Sequence, residues 1–540
     1  MRFNETVYKW GQNRHDSIKG MTTAEIGQVQ RPTLRLSGFF DDLYSISDEG
    51  LPVFKMFIGG RWVECLKGAT FPVDTPIDDS VFAYAQKGDE RDAELAVAAA
   101  RESRPQIRAI AAIDRIEMFH DTASIIERHL EDFVNVLMLE AGKTRSDARG
   151  EITAVVERMR MTMEDVSKVS GEYKPGDWSA DTMGKIAIVL REPVGTVGAI
   201  GPFNYPLYIP AAKIIPALLS GNTVVVKPSS DTPLSQLLLA KALEEAGVPP
   251  GVLNVVTGPG KIGSTIAGHE DVGLISFTGS TEVGREIAKI AANKRLHLEL
   301  GGKAYAIVLD DADLELAANR CVMGSVRNAG QRCDAVSAIL VVESVADKFV
   351  AKVLEEVDKI KFGDPRNEGV TVGPLINKAA AERVNALVRD AVEKGAKLLR
   401  GGRYRGSYHE PTVLDMVPLD ARIIWEETFG PVVTIARVKD ENEALSIASK
   451  SRYGLDSCVF TNDFYRMWRI AKTLQVGAVT INDFPRHGVG YFPFGGVKDS
   501  GIGREGIGYS IEEMMVLKTI VLNLEPAQLG KVKRTRPRHR

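Results

Sequence analysis

Residues 195–230 read GTVGAIGPFNYPLYIPAAKIIPALLSGNTVVVKPSS, a strand, a helix and a second strand in succession. GTVGAIGPF is a short apolar run bounded by glycines, the pattern of a strand buried on both faces. AAKIIPALLS continues the apolar character at helical spacing and stops at Gly221, and NTVVVKPS is a β-branched strand. The alternation continues downstream. LSQLLLAKALEEAG predicts a helix ended at Gly247, VLNVVTG a strand followed by a short helix, VGLISFTGS a strand, and TEVGREIAKIAA a helix. Such alternation predicts a parallel, doubly wound sheet whose ligands sit at the carboxyl ends of its strands. Beyond Leu300 it repeats as AYAIVLD, a helix, SAILVVES and VADKFVAKVLEEVDKI, which predicts a second α/β domain. Upstream, Phe54-Lys-Met-Phe-Ile-Gly-Gly-Arg-Trp62 predicts two strands joined by a Gly-Gly turn, and residues 89–160 carry the spacing of amphipathic helices.

The composition is that of a globular protein: 540 residues, 44% hydrophobic, 26% charged, net charge −3. This charge argues against a surface that attracts nucleic acid throughout. The four cysteines, Cys65, Cys321, Cys333 and Cys458, form no CxxC pair, and the eight histidines show no HxxxH or HExxH spacing. A disulfide scaffold and a metal site are therefore not expected. No secretory signal is visible, and no run approaches the roughly twenty apolar residues needed to cross a bilayer. The expected location is the cytoplasm. Residues 1–36 read as a flexible polar extension, in which Met21 is an alternative start. The basic ending KVKRTRPRHR reads as a solvated tail.

Three segments carry chemistry. Gly258-Pro-Gly-Lys-Ile-Gly263 matches GxGxxG, weak evidence in a glycine-rich chain. Phe277-Thr-Gly-Ser-Thr-Glu-Val-Gly284 runs from strand to helix through Gly279 and Ser280, which suits a pyrophosphate at the helix N-terminus and equally a tight turn with no ligand. Cys333 lies in the polar run Asn328-Ala-Gly-Gln-Arg-Cys-Asp-Ala335. It is either a nucleophile favoured by the neighbouring Arg332 or a structural cysteine. The other three cysteines have apolar neighbours and read as packing residues.

The motifs taken together resolve these alternatives. Leu298-Glu-Leu-Gly-Gly-Lys303 with Gly330-Gln-Arg-Cys333 resembles the glutamate and cysteine motifs of the aldehyde dehydrogenase superfamily. Pro202-Phe-Asn-Tyr-Pro206, Lys227-Pro-Ser, the FTGSTEVG turn, Glu426-Glu-Thr-Phe-Gly-Pro431, Phe492-Pro-Phe-Gly-Gly496 and Lys498-Asp-Ser-Gly501 follow that family in the same order, from about residue 54 to 525. Gly171-Glu-Tyr-Lys-Pro-Gly-Asp-Trp178, the GQRCDA segment, Asn482-Asp-Phe-Pro-Arg-His-Gly-Val-Gly-Tyr491 and Arg504-Glu-Gly-Ile-Gly-Tyr-Ser-Ile511 are most similar to archaeal non-phosphorylating glyceraldehyde-3-phosphate dehydrogenases.

The resemblance implies the roles. Cys333 attacks the aldehyde, Asn204 and the Cys333 amide hold the oxyanion, a nicotinamide takes hydride, and Glu299 activates the water that hydrolyses the thioester. Lys227 is expected at the adenosine ribose, Gly279 and Ser280 at the pyrophosphate, and Gly284 on the same turn. Phe203 would border the cleft, Glu427 hold the nicotinamide ribose, and Phe429 pack near the ring. NAD-preferring relatives often carry Glu three residues after the lysine. Here Ser230 leaves room for a 2′-phosphate, so NADP is expected ahead of NAD, although Asp231 nearby opposes it. Arg332 and Arg486 match positions at the phosphate end of the substrate, and Arg158 is a third candidate with Arg160 as its competitor. His487 reads as a loop residue.

The expected activity is oxidation of glyceraldehyde 3-phosphate to 3-phosphoglycerate, with glyceraldehyde or a semialdehyde as the alternative substrate. A catalytically silent relative, or a variant passing the acyl group to coenzyme A, is disfavoured by Asn204, Glu299 and Cys333. The expected organisation is two doubly wound α/β domains and a small β oligomerisation element. The cofactor domain takes residues 37–175 and 196–298, the catalytic domain 299–483, the oligomerisation element and C-terminal segment 176–195 and 484–525, and the tail 526–540. A hairpin near 180–195 with strand Leu517–Leu524 offers an edge to another subunit, so a dimer or tetramer is expected.

Overall fold

The computed structural model of the chain describes residues 33–524. Most of the N-terminal extension, the alternative start at Met21 and the basic tail lie outside the described residues. Leu34 and Leu36 already pack against the core, so the chain is anchored ahead of residue 37.

Every predicted element between residues 195 and 290 forms. Strands Thr196–Ile200, Thr223–Lys227, Leu253–Val255, Leu274–Thr278 and Arg295–Glu299 alternate with helices Tyr208–Leu219, Leu234–Glu245, Gly260–Gly268 and Thr281–Ile290. The five strands are parallel, and across the sheet they run 295–299, 274–278, 196–200, 223–227, 253–255. The chain therefore winds outward from the central strand one way and then returns to its other side. The point of reversal, between Thr196–Ile200 and Leu274–Thr278, is where such sheets open a ligand crevice. The hairpin Met56–Ile58 and Arg61–Val63 extends one edge in antiparallel sense. Gly59 and Gly60 turn it with φ of 63° and 76°, as a two-residue hairpin requires.

The second sheet contains Ala304–Val308, Val336–Val342, Val432–Val438, Thr412–Asp415, Asp456–Phe460 and Ala478–Ile481, all parallel, with Lys397–Arg400 antiparallel at one edge. The amino ends of its strands meet the carboxyl ends of the first sheet, so residues preceding one set of strands face residues ending the other.

Two features differ from the expectation. Phe54 belongs not to the hairpin but to a separate four-stranded sheet of Tyr44–Ile46, Pro52–Phe54, Thr70–Asp74 and Val81–Gln86. Strands of three residues carry too little period to be separated from their neighbours by eye. The small β element is three-stranded: Lys185–Pro193 pairs with Met515–Asn523 over nine residue pairs, and its other neighbour, Glu172–Pro175, starts ahead of residue 176. Leu517 and Val521 on the outer strand are exposed. Among the described residues no helix is long and apolar enough to cross a membrane.

Candidate active site

Cys333 lies between helix Leu314–Val326 and the buried strand Val336–Val342. The turn leading to it is strained. Asn328 and Ala329 adopt φ of 54° and 53°, a region that costs a non-glycine residue roughly 1 kcal/mol or more. Buried hydrogen bonds hold it there. Asn328 Nδ2 donates to the main-chain oxygen of Asn204 at 3.1 Å, and its Oδ1 accepts from Lys143 Nζ at 3.2 Å. Lys143 also meets Glu151 at 3.1 Å and lies 4.0 Å over the Tyr205 ring. The other oxygen of Glu151 accepts from the amides of Leu207 and Tyr208 at the start of helix Tyr208–Leu219. One buried network thus joins the turn of the cysteine to the segment bearing Asn204, whose side-chain amide donates to the Gln331 carbonyl at 2.9 Å. The second N–H of that amide remains available for a ligand oxygen.

Gly302 is required by close approach, since a Cβ there would come within 2.1 Å of the Cys333 carbonyl oxygen. Burial pushes the Cys333 thiol well above its ordinary range, and Asp334, Glu427 and Glu299 push it further. The expectation that Arg332 favours the thiolate is corrected by its partners: its guanidinium is engaged by Asp334 at 2.8 Å and by the carbonyl of Pro485 at 3.0 Å.

A cleft of about 1050 Å³ opens at the reversal point of the first sheet. Phe203, Asn204, Lys227, Ser230, Gly279 and Ser280 line it from one side, and Cys333, Glu427 and Phe429 from the other. Lys227 Nζ bonds the Pro228 carbonyl at 2.8 Å and reaches Ser230 Oγ at 3.4 Å, while Ser230 donates to Gly258. Burial pushes Lys227 down to about 8, against the pull of Asp231. Ser280 caps helix Thr281–Ile290, accepting from Val283 N at 3.3 Å. At Gly279 a Cβ would collide with the Phe277 ring at 2.6 Å, so the main chain lies flush with the cleft at the helix start. A flush backbone, a capped helix N-terminus and a lysine–serine pair fit a phosphorylated dinucleotide. Gly260 and Gly263 of the weak GxGxxG match also line the cleft.

Gly284 does not line the cleft. A Cβ there would meet Leu300 at 2.3 Å, so it serves close packing of the helix on the following strand end. Glu427 accepts from the amide of Gly302 at 3.1 Å, and burial raises its carboxyl. The Phe429 and Phe203 rings meet edge to face at 5.8 Å across the cleft. Glu299 ends strand Arg295–Glu299, buried, with its carboxylate turned to His297 at 3.2 Å.

Two of the three candidate arginines come together. Arg332 lies 5.3 Å and Arg486 5.2 Å from the ring of Phe484. Arg486 is half exposed, and its ion pair among the described residues is with Asp483 at 3.5 Å. Arg158 does not join them: it is buried 2.6 Å from Asp165. Its competitor Arg160 is exposed and paired with Glu127. His487 is bonded to Asp456 at 3.1 Å; burial opposes its charge, but Asp456 raises its proton affinity overall. Asp334, Asp456 and His487 converge within 4.8 Å. They do so as partners of Arg332 and of one another, an internal pairing of charge.

Sequence reading missed Lys143, Asn328, Lys303 and Arg383. Lys303 reaches the Ile423 carbonyl, the Ser337 carbonyl and Thr428, and Arg383 holds the carbonyls of Glu427 and Thr428. Both act on the main chain that carries Glu427. Asn328 had a signal: asparagine before Ala-Gly is a residue type that tolerates left-handed backbone. Lys143 and Arg383 had none, because the site groups they hold, Asn328 for one and the carbonyls of Glu427 and Thr428 for the other, are distant in sequence.

Residues 62–520 match the model of the aldehyde dehydrogenase family. Among curated relatives, the NADP-dependent glyceraldehyde-3-phosphate dehydrogenase of Streptococcus equinus is 41% identical, over 87% of this chain and 99% of its own. An NADP-dependent succinate-semialdehyde dehydrogenase of Escherichia coli strain K12 is 36% identical, over 89% and 100%. Among solved structures, NADP-dependent glyceraldehyde-3-phosphate dehydrogenase from Bacillus halodurans C-125, complexed with NADP, superposes with a TM-score of 0.85 at 38% identity, covering 87% of this chain and 99% of that one.

Proposed function

The chain belongs to the aldehyde dehydrogenase family, and from that premise we propose that it oxidises glyceraldehyde 3-phosphate to 3-phosphoglycerate with NADP. The observation that carries this reading is that Cys333 lines the cleft with Asn204 and directly follows Arg332, which shares the ring of Phe484 with Arg486. Cys333 Sγ attacks the aldehyde carbon as its S–H proton passes to solvent water in the open cleft. The oxyanion is met by the free N–H of Asn204 and the amide of Cys333. Lys227, Ser230, Gly279, Ser280 and Glu427 would hold NADP in the cleft, where it would supply the hydride acceptor that turns the adduct on Cys333 into a thioester. Glu299 then takes a proton from water as that water attacks the thioester, and collapse of the adduct expels the Cys333 thiolate and releases the acid.

NADP is supported by the Streptococcus equinus and Bacillus halodurans relatives and by the Lys227–Ser230 pair, a cation and a neutral donor suited to a 2′-phosphate. Four unpaired cysteines suit a reducing cytoplasm. The exposed outer face of Met515–Asn523 supports assembly as a dimer or tetramer.

A second reading has its own support. Asp334 already neutralises Arg332, so Arg486 is the less engaged guanidinium at that end. One fork suits a carboxylate, as in a semialdehyde, where a phosphate monoester favours two cations. Steady-state kinetics with glyceraldehyde 3-phosphate, glyceraldehyde and succinic semialdehyde, each with NADP and without inorganic phosphate, separate the readings. Arg486→Gln is expected to lower kcat/KM for glyceraldehyde 3-phosphate about tenfold or more and to leave glyceraldehyde unchanged. A higher kcat/KM for succinic semialdehyde in the wild type transfers the assignment to the second reading. Cys333→Ser is expected to lose turnover while folding normally, and undiminished oxidation by that variant refutes both.

A further inference from the structure

Two residues before Glu299, on the same face of the same strand, stands His297. Both are buried, at 2% exposure. His297 Nε2 lies 3.2 Å from Glu299 Oε1, and Nδ1 lies 2.9 Å from the hydroxyl oxygen of Ser276. Ser276 is the direct register partner of His297 on strand Leu274–Thr278. The bond to His297 is the single one to the Glu299 carboxylate among the described residues, and Oε2 is buried without a partner. Gly503 closes over the ring from the C-terminal segment: a Cβ there would meet His297 Cδ2 at 2.8 Å. The imidazole therefore has little freedom to turn away.

With a neutral imidazole, the chain of bonds has one arrangement compatible with an ionised base. The Ser276 hydroxyl donates to Nδ1, so the proton of the neutral imidazole sits on Nε2 and is donated to the carboxylate. Burial pushes the Glu299 carboxyl well above its ordinary range, with Glu505 adding to it, and pushes His297 well below its own, with Lys213 adding to it. The charges facing the pair are Lys213 from helix Tyr208–Leu219, which holds Glu505 at 3.2 Å, and Arg504 and Glu513 from the C-terminal segment. Arg295, at the far end of the same strand, bonds the Met515 carbonyl.

We propose that His297, backed by Ser276, is a positioning residue for the hydrolytic step: its Nε2–H fixes the Glu299 carboxylate and favours its ionised form. This rests on the reading of Glu299 as the base that activates water. A donor to the charged form of a buried acid lowers its proton affinity, so removing the donor makes Glu299 protonate at higher pH.

The test separates acylation from hydrolysis. In stopped-flow mixing with NADP and glyceraldehyde 3-phosphate, or succinic semialdehyde if that is turned over faster, the first turnover gives a burst of NADPH and hydrolysis sets the later rate. His297→Leu is expected to keep the burst, slow the later rate about tenfold at neutral pH, and move its acid limb upward by about one pH unit. His297→Gln, which can still donate an N–H to Oε1, should recover most of both. Ser276→Ala, which removes only the far end of the chain, should shift the limb in the same direction by less, and it keeps the test open if His297→Leu fails to fold. An acid limb unmoved in His297→Leu, or in Ser276→Ala where that variant must serve, overturns the proposal when Glu299→Gln abolishes the later rate. Hydrolysis at the wild-type rate by Glu299→Gln instead overturns the reading of the base itself, and this proposal with it.

Discussion

The side-chain amide of Asn204 donates to the main-chain oxygen of Gln331 at 2.9 Å, two residues before Cys333. The bond spans 127 residues of sequence and joins the carboxyl end of one sheet to the amino end of the other. It sets the amide beside the cysteine with one N–H engaged and one free. Asn204→Ala is expected to lower kcat by about a hundredfold or more, the usual loss for a preorganised oxyanion donor, with a smaller change in KM. A kcat within twofold of wild type would exclude Asn204 from that role.

The Lys227–Ser230 pair makes the cofactor assignment testable by charge. Ser230→Glu places a carboxylate where a 2′-phosphate is proposed to sit, and like charges in a partly buried cleft repel strongly. KM for NADP should rise about tenfold or more while KM for NAD falls or holds. Equal changes for both cofactors would move the 2′-phosphate elsewhere.

Glu140 gives a pH dependence to folding. It accepts from the amides of Leu234 and Ser235 at 2.7 and 3.0 Å at the start of helix Leu234–Glu245, and burial raises its carboxyl to about 7 from 4.5. Because the folded form holds the proton more tightly, its stabilising contribution is full below the unfolded value and is lost as pH rises through the folded one. Between about pH 4.5 and 7 the wild type should lose up to about 3 kcal/mol that a non-titrating glutamine does not lose. Melting temperatures across that range are therefore expected to fall in the wild type relative to Glu140→Gln. Parallel curves would contradict the assignment.

The outer strand of the small sheet carries Leu517 at 61% and Val521 at 58% exposure. If that face is covered by a second copy, Leu517→Lys with Val521→Lys should lower the molar mass measured by light scattering. An unchanged mass would locate the interface elsewhere.

Much of this protein is legible in its residues. The first sheet follows from alternating apolar runs punctuated by Gly221 and Gly247, because period and chain breakers are local properties of the chain. Cys333, Glu299, Asn204 and Lys227 stand in motifs of fixed spacing. The tertiary structure decided the rest. Arg158 and Arg160 sit in one helix and looked equivalent, yet one is buried on Asp165 and the other is exposed on Glu127. Arg332 stands next to the cysteine, but its Nη2 is taken up by Asp334 and the Pro485 carbonyl, and burial pushes the thiol well above its ordinary range. Gly284 lies against Leu300, where a Cβ would not fit. Periodicity and spacing fix which groups the chain carries and on which element. Desolvation and pairing depend on groups that are far apart in sequence and meet only after folding, so only the folded chain assigns a proton, a charge or a partner to each.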